Sequence, residues 1–157
     1  MKKLFLSAAI AVSVLSANAS TDGHFMLAIF SPGEFPAPTS SIYGGRLSLI
    51  YGECHDLYGV DLGLAGYVRE RMEGVQFNLW WSGVGPDATG VQFGLLNTVE
   101  GDACGLQCGF VNMSDRHYGC QWGFVNVTRR LYGCQLGLLN ITTDRDWKFW
   151  PFVNIGW

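Results

Sequence analysis

From Gly44 onward, short runs of alternating apolar and polar residues recur along the chain. Aligned on a glycine followed two residues later by a polar residue, eight copies begin at Gly44, Gly59, Gly74, Gly90, Gly105, Gly119, Gly133 and Trp147. The steps between them are 15, 15, 16, 15, 14, 14 and 14 residues. The clearest copies read GVQFGLLN, GLQCGFVN, GCQWGFVN and GCQLGLLN; the last, WKFWPFVN, is degenerate but keeps Asn154. Within a copy the alternation has period two, the period of a strand. One face is apolar throughout, as in Val91, Phe93, Leu95 and Cys120, Trp122, Phe124. The other is polar, then small, then usually aliphatic. Its polar slot holds Arg46, Asp61, Gln76, Gln92, Gln107, Gln121 and Gln135, and its small slot is mostly glycine. A helix would mix these faces, so each copy predicts a strand of about ten residues closed by a turn of about four. The turns, such as Glu100-Gly101-Asp102 and Thr128-Arg129-Arg130, hold most of the charge and the residues that form turns readily.

Two architectures suit such a repeat. The preferred one is an all-β, eight-stranded antiparallel up-and-down barrel. Its apolar face would meet lipid, and its Gln/Gly face would fill a narrow lumen. Tyr67, Trp80, Trp81, Tyr118, Tyr132 and Trp147 near the strand ends would form aromatic girdles, and Phe149, Val153, Ile155 and Trp157 alternate up to the final residue. The alternative is a β-solenoid with one coil per copy. Its support is the columns: Gln recurs in one slot, and Asn97, Asn112, Asn126, Asn140 and Asn154 recur in another. Parallel stacking makes such amide ladders favourable. Against it stand a thin interior that Trp122 and Phe124 would overfill, and the lack of a polar terminal cap. A soluble barrel with the apolar face inward would expose Leu96, Val111, Val125 and Leu139 as a band, which is unfavourable. Pro151 inside a strand counts mildly against every version.

The ends and the composition supply an address. Met1-Lys2-Lys3, the apolar stretch Leu4 to Leu15 and Ala17-Asn18-Ala19 read as a signal sequence with its cleavage site. The expected organisation is a signal peptide over 1–19, a lead-in strand and Pro-rich loop over 20–43, and a β-repeat domain over 44–157. Removing Lys2 and Lys3 leaves eight basic against thirteen acidic residues, a net charge of −5. That balance gives no footprint for nucleic acid. Beyond the signal, no apolar run reaches the length of a membrane helix, although 48% of the chain is hydrophobic.

Candidate chemistry is sparse. Cys54, Cys104, Cys108, Cys120 and Cys134 are odd in number, so they cannot all pair within the chain. Cys104 and Cys108 lack zinc-ligand spacing, and Cys108, Cys120 and Cys134 fall on the apolar face, where they read as small hydrophobes. His24, His55 and His117 are scattered, without a matched nucleophile and acid. The glycines sit in strand slots and form no phosphate loop, so neither cofactor, metal nor catalytic residue is expected. Asn112-Met113-Ser114, Asn126-Val127-Thr128 and Asn140-Ile141-Thr142 match a glycosylation pattern but are repeat asparagines. Arg46 and Asp61 replace Gln in the first two copies and would point inward, where unpaired charge is costly. They are expected to pair with each other or with nearby Gln.

With its G-x-Q-x-G-x-x-N copies, its lead-in LAIFSPGEFPAP (Leu27 to Pro38), GGRLSLIYGE, YGVDLGL and the closing PFVNIGW, the chain resembles the bacterial surface-repeat family known from spirochaete surface proteins. The likeness runs through most of the chain after the signal. It departs in the cysteines at apolar slots and in Trp, in place of Phe, at the terminus. The resemblance implies an outer-membrane or cell-surface location and no particular activity. The expected role is a structural or interaction protein that meets outer-membrane lipid, with a narrow channel or a secreted solenoid binding protein as alternatives.

Overall fold

The computed structural model describes residues 23–30, 33–35 and 38–157; the expected signal sequence, residues 1–19, lies outside them. Among the described residues every regular element is a strand: β1 (Gly23–Phe30), β2 (Gly33–Phe35), β3 (Ile42–Cys54), β4 (Leu57–Val68), β5 (Arg71–Val84), β6 (Asp87–Thr142) and β7 (Phe149–Gly156). They form one sheet system in the order β2-β1-β3-β4-β5-β6-β7.

The pairing corrects the barrel. β1 with β3, β3 with β4, β4 with β5 and β5 with β6 are all parallel. Equal slots lie side by side: Gly59 pairs with Gly74, Asp61 with Gln76 and Leu62 with Phe77. An up-and-down barrel needs antiparallel neighbours, so the chain is a β-solenoid in which successive copies stack as coils. The long strand β6 is the same coil continued, its successive copies joined through Gln107, Gln121 and Gln135 at 14-residue spacing.

Each coil is folded in two. Between β3 and β4 the register passes from Ser48↔Gly63 to Tyr51↔Ala65, so a corner falls at Leu49-Ile50 in one coil and at Leu64 in the next. The equivalent corner in β5 is Leu79-Trp80. One strand of ten residues was expected per copy; the structure has two shorter segments facing each other across a thin interior. A side chain added at Gly66 would meet Arg46, Asp61 and Asn78, which shows how closely the two halves approach.

That corner also explains why the interior is not overfilled. Trp122 is 63% exposed and Phe124 45% exposed: the apolar face points outward and the Gln/Gly face inward. The aliphatic slot after the corner also leaves the interior, and Leu139 there is exposed. Near the turns the interior is apolar, with Ile42, Leu57, Met72 and Ala88 on one segment and Cys54, Val68, Val84 and Val99 on the other. The second column becomes polar in the later coils, at Ser114, Thr128 and Thr142, and the burial of Thr128 and Thr142 is complete or nearly so.

Reversed strands close both ends of the stack. β2 runs antiparallel to β1, and β7 antiparallel to β6. The eighth copy is therefore a reversed cap and not an eighth coil. Pro151 is tolerated because β7 lies at the sheet edge, where its missing N–H breaks no inner ladder. The adjacent Phe152 has φ 66°, and the β6–β7 register shifts between Gly137 and Asn140.

Candidate functional site

The predicted polar residues are all buried, and stacking brings most of them together. Gln92 Nε2 donates to Gln76 Oε1 (3.0 Å), Gln107 to Gln92 (2.9 Å), Gln121 to Gln107 (2.7 Å) and Gln135 to Gln121 (2.7 Å). Every link in this row points toward the N-terminal end. The asparagine row runs the opposite way. Asn97 Nδ2 donates to Asn112 Oδ1, Asn112 to Asn126 and Asn126 to Asn140, each at 2.8 Å. The second amide hydrogens of Asn97, Asn112 and Asn126 reach the carbonyls of Cys108, Trp122 and Leu136. Two hydrogen-bonded chains of opposite polarity thus lie side by side, so their dipoles oppose each other, and chained amides polarise one another favourably.

Asn154 was expected in the asparagine column. Because β7 is reversed, it lies instead opposite Gln135. Its Nδ2 donates to Gln135 Oε1 at 2.7 Å and to Thr142 Oγ1 at 2.8 Å, which terminates the glutamine row.

Arg46 and Asp61 form a bidentate pair at the other end. Arg46 Nε donates to Asp61 Oδ1 (2.8 Å) and Nη2 to Oδ2 (2.6 Å). Nη1 donates to the Tyr67 carbonyl at 2.9 Å and to Cys54 Sγ at 3.0 Å, and Asn78 Nδ2 donates to Asp61 Oδ2 at 2.8 Å. Both charged side chains are fully buried. Such a pair needs this number of partners to offset its desolvation.

His117 stands out from its column. It replaces the aliphatic residue held by Leu57 and Leu131 in other coils, and it is fully buried. Neither ring nitrogen has a well-formed hydrogen bond, although the Cys120 and Gly105 backbones lie close by. Burial pushes its pKa down to about 4, against smaller opposing effects of the Cys120 and Gly105 backbones. The unfolded chain takes up a proton near the ordinary 6.5, whereas the fold resists it until about 4. Stability is therefore complete above about pH 6.5 and falls as the pH drops toward 4. Between pH 6.5 and pH 5 the expected loss is about 1.5 kcal/mol, since the slope reaches its full value of about 1.4 kcal/mol per pH unit only below pH 6.5. Urea denaturation at the two pH values reads it, and His117→Leu should remove most of the difference. An equal loss in that variant would place the titrating group elsewhere.

The filled interior leaves the outside as the surface available for function, and it has two characters. The turn edge carries ion pairs between neighbouring coils: Arg69–Glu53, Arg116–Asp102, Arg129–Asp115 and Arg130–Asp144, at 2.5 to 2.6 Å. These are solvent-screened and individually worth little. The opposite, corner edge and the outer face of the first segment are apolar, with Phe77 51%, Leu79 60% and Trp80 69% exposed. Near the C-terminal end an open groove of about 690 Å³ is lined by Phe110, Trp122, Phe124, Leu138 and Phe152. Of the aromatics expected as girdles, Tyr118 stacks on Tyr132 of the next coil at 4.8 Å and Tyr67 lies diagonally against Trp81 at 5.8 Å, while Trp80 and Trp147 are exposed. Among the described residues no group of three or more His, Cys, Asp or Glu is placed to hold a metal ion. The apolar corner leaves one sign in the sequence, the pair of adjacent apolar residues in mid-copy. The chain matches no family model, no curated protein and no solved structure.

Proposed function

We propose that the chain is an exported bacterial envelope protein, of the outer membrane or cell surface, with a structural and interaction role and no catalytic activity. Its partner is lipid, met by the corner edge and the adjoining outer face. The observation that carries this reading is the separation of character across the coil: Leu79, Trp80, Trp122 and Phe124 exposed at and beside the corner, ion pairs on the turn edge. An apolar surface that continues from coil to coil is larger than soluble monomers ordinarily leave uncovered. Laid against a bilayer, it would bury aromatic and aliphatic side chains while keeping Asp115, Arg129, Arg130 and Asp144 at the aqueous side. The paired amides that fill the interior favour this role over a conducting one.

Flotation of the full chain with vesicles of phosphatidylethanolamine and phosphatidylglycerol tests it. The protein should rise with the vesicles, and lipids brominated along the acyl chain should quench its tryptophan fluorescence. Replacing Leu79 and Trp80 with Asp should weaken partitioning at least tenfold, since burying each such side chain is worth about 1.5–3 kcal/mol. A chain that stays in the aqueous layer, unquenched, would overturn the lipid reading and favour a secreted solenoid that binds another partner.

A further inference from the structure

Cys120 and Cys134 occupy the same outward slot in successive coils, one position after Gly119 and Gly133. Their sulfurs lie 2.7 Å apart. Because the neighbouring glutamines of the same two coils, Gln121 and Gln135, are also joined at 2.7 Å, the backbones there are in register. Parallel strands in register run about 4.8 Å apart, within the Cα separation that a disulfide spans without moving the chain. Both cysteines are partly exposed, so an oxidant can reach them.

The other thiols lack this arrangement. Cys54 is buried and accepts a hydrogen bond from Arg46. Cys104 follows Ala103 on the turn side of its coil, and the equivalent slots of the adjoining coils hold Thr89 and Tyr118. Cys108 lies over Trp122, diagonal to Cys120, because Gln107 stacks on Gln121. Diagonal neighbours in a sheet are about 7–8 Å apart, too far for a bond in an undistorted sheet.

We propose that Cys120 and Cys134 form a disulfide that staples the last two coils together beneath the capping strand. Cys134 pairs with Ile155 of β7, so the bond sits where the stack ends and fraying would begin. The oxidant is a small or protein disulfide. One protein thiolate attacks it, forms a mixed disulfide and releases the first thiol. The second cysteine then attacks the mixed disulfide, forms the Cys120–Cys134 bond and releases the second thiol. Two electrons pass to the oxidant, and the two thiol protons end on its released thiols.

Equilibration of the folded full chain with oxidised and reduced glutathione, alkylation in denaturant and tryptic mass spectrometry test this. Cleavage after Arg116, Arg129, Arg130 and Arg145 puts Cys120 and Cys134 on separate peptides, 117–129 and 131–145. The expected product is these two peptides linked, lighter by two hydrogens than the separate pair, with Cys54, Cys104 and Cys108 alkylated. Reduction should separate the peptides and lower the guanidinium midpoint of the wild type but not that of Cys134→Ser. Five alkylated cysteines after oxidation, or a link made through Cys104 or Cys108, would overturn the assignment.

Discussion

Asp61→Leu is expected to destabilise the fold by about 3–5 kcal/mol, the usual cost of removing one partner of a buried ion pair. The loss is not the value of a contact. It is the penalty of leaving the Arg46 guanidinium buried with its Nε and Nη2 donors unmatched, since both point at the Asp61 carboxylate. Asn78 would also lose the acceptor of its 2.8 Å bond. Guanidinium denaturation of the single variant measures the cost, and a double variant separates charge from shape. In the following coils the same slot holds Gln76 and Gln92, which bond to each other with no charge present. Arg46→Gln combined with Asp61→Gln extends that row by two rungs and should recover most of the loss. If Asp61→Leu left the midpoint unchanged, the pair would be energetically idle; if the double variant were as unstable as the single one, the column would not accept glutamine in these coils.

That comparison also shows what the sequence could convey. Period-two alternation identified the strands, and the uniform apolar rows separated the two faces, with Gln, Gly, Arg46 and Asp61 turned inward. Strand direction is a different matter, because alternation is the same whether neighbours run parallel or antiparallel. The information lay in the columns. Repeated Gln and Asn in equal slots gain from each other only when equal slots are adjacent, and the bonds from Gln76 to Gln135 are that gain. Volume tells against a coil only if Trp122 and Phe124 lie inside it, and both point outward.

The hidden feature was the corner. Strict alternation places the aliphatic residue following the apolar face, such as Leu139, inward. Two consecutive outward residues are instead how a strand bends, and this bend turns one expected strand into two and a barrel wall into a flattened coil. His117 was equally hard to read. Its place in an apolar column follows from the 14-residue spacing to Leu131, yet only the stacked structure shows both its nitrogens buried without a well-formed hydrogen bond. The reversed cap had one visible sign, Pro151, whose tolerance depends on the edge position that the structure gives it.

Gly105→Ala should cost about 3 kcal/mol or more, because the glycine column sets how closely the coils approach. Gly105 has φ 129°, a conformation that residues with a side chain rarely adopt, and strain of this kind costs about 1–3 kcal/mol. A Cβ there would also lie 2.0 Å from the carbonyl oxygen of Gly90, which is backbone and cannot rotate away. The two coils would have to separate, weakening the adjoining inter-coil hydrogen bonds, each worth about 1 kcal/mol. Gly90 and Gly119, above and below, meet the same kind of obstacle, so neighbouring coils have no slack to absorb the shift. Gly45→Ala is the control. A Cβ at that position would reach only the Phe25 ring, at 3.5 Å, an ordinary contact, and the change should stay within about 0.5 kcal/mol. Thermal and denaturant midpoints of the two variants check the contrast. A barrel would stack no glycine on its equivalent in the next copy and would give Gly105 no special sensitivity, so equal midpoints would contradict the parallel register itself.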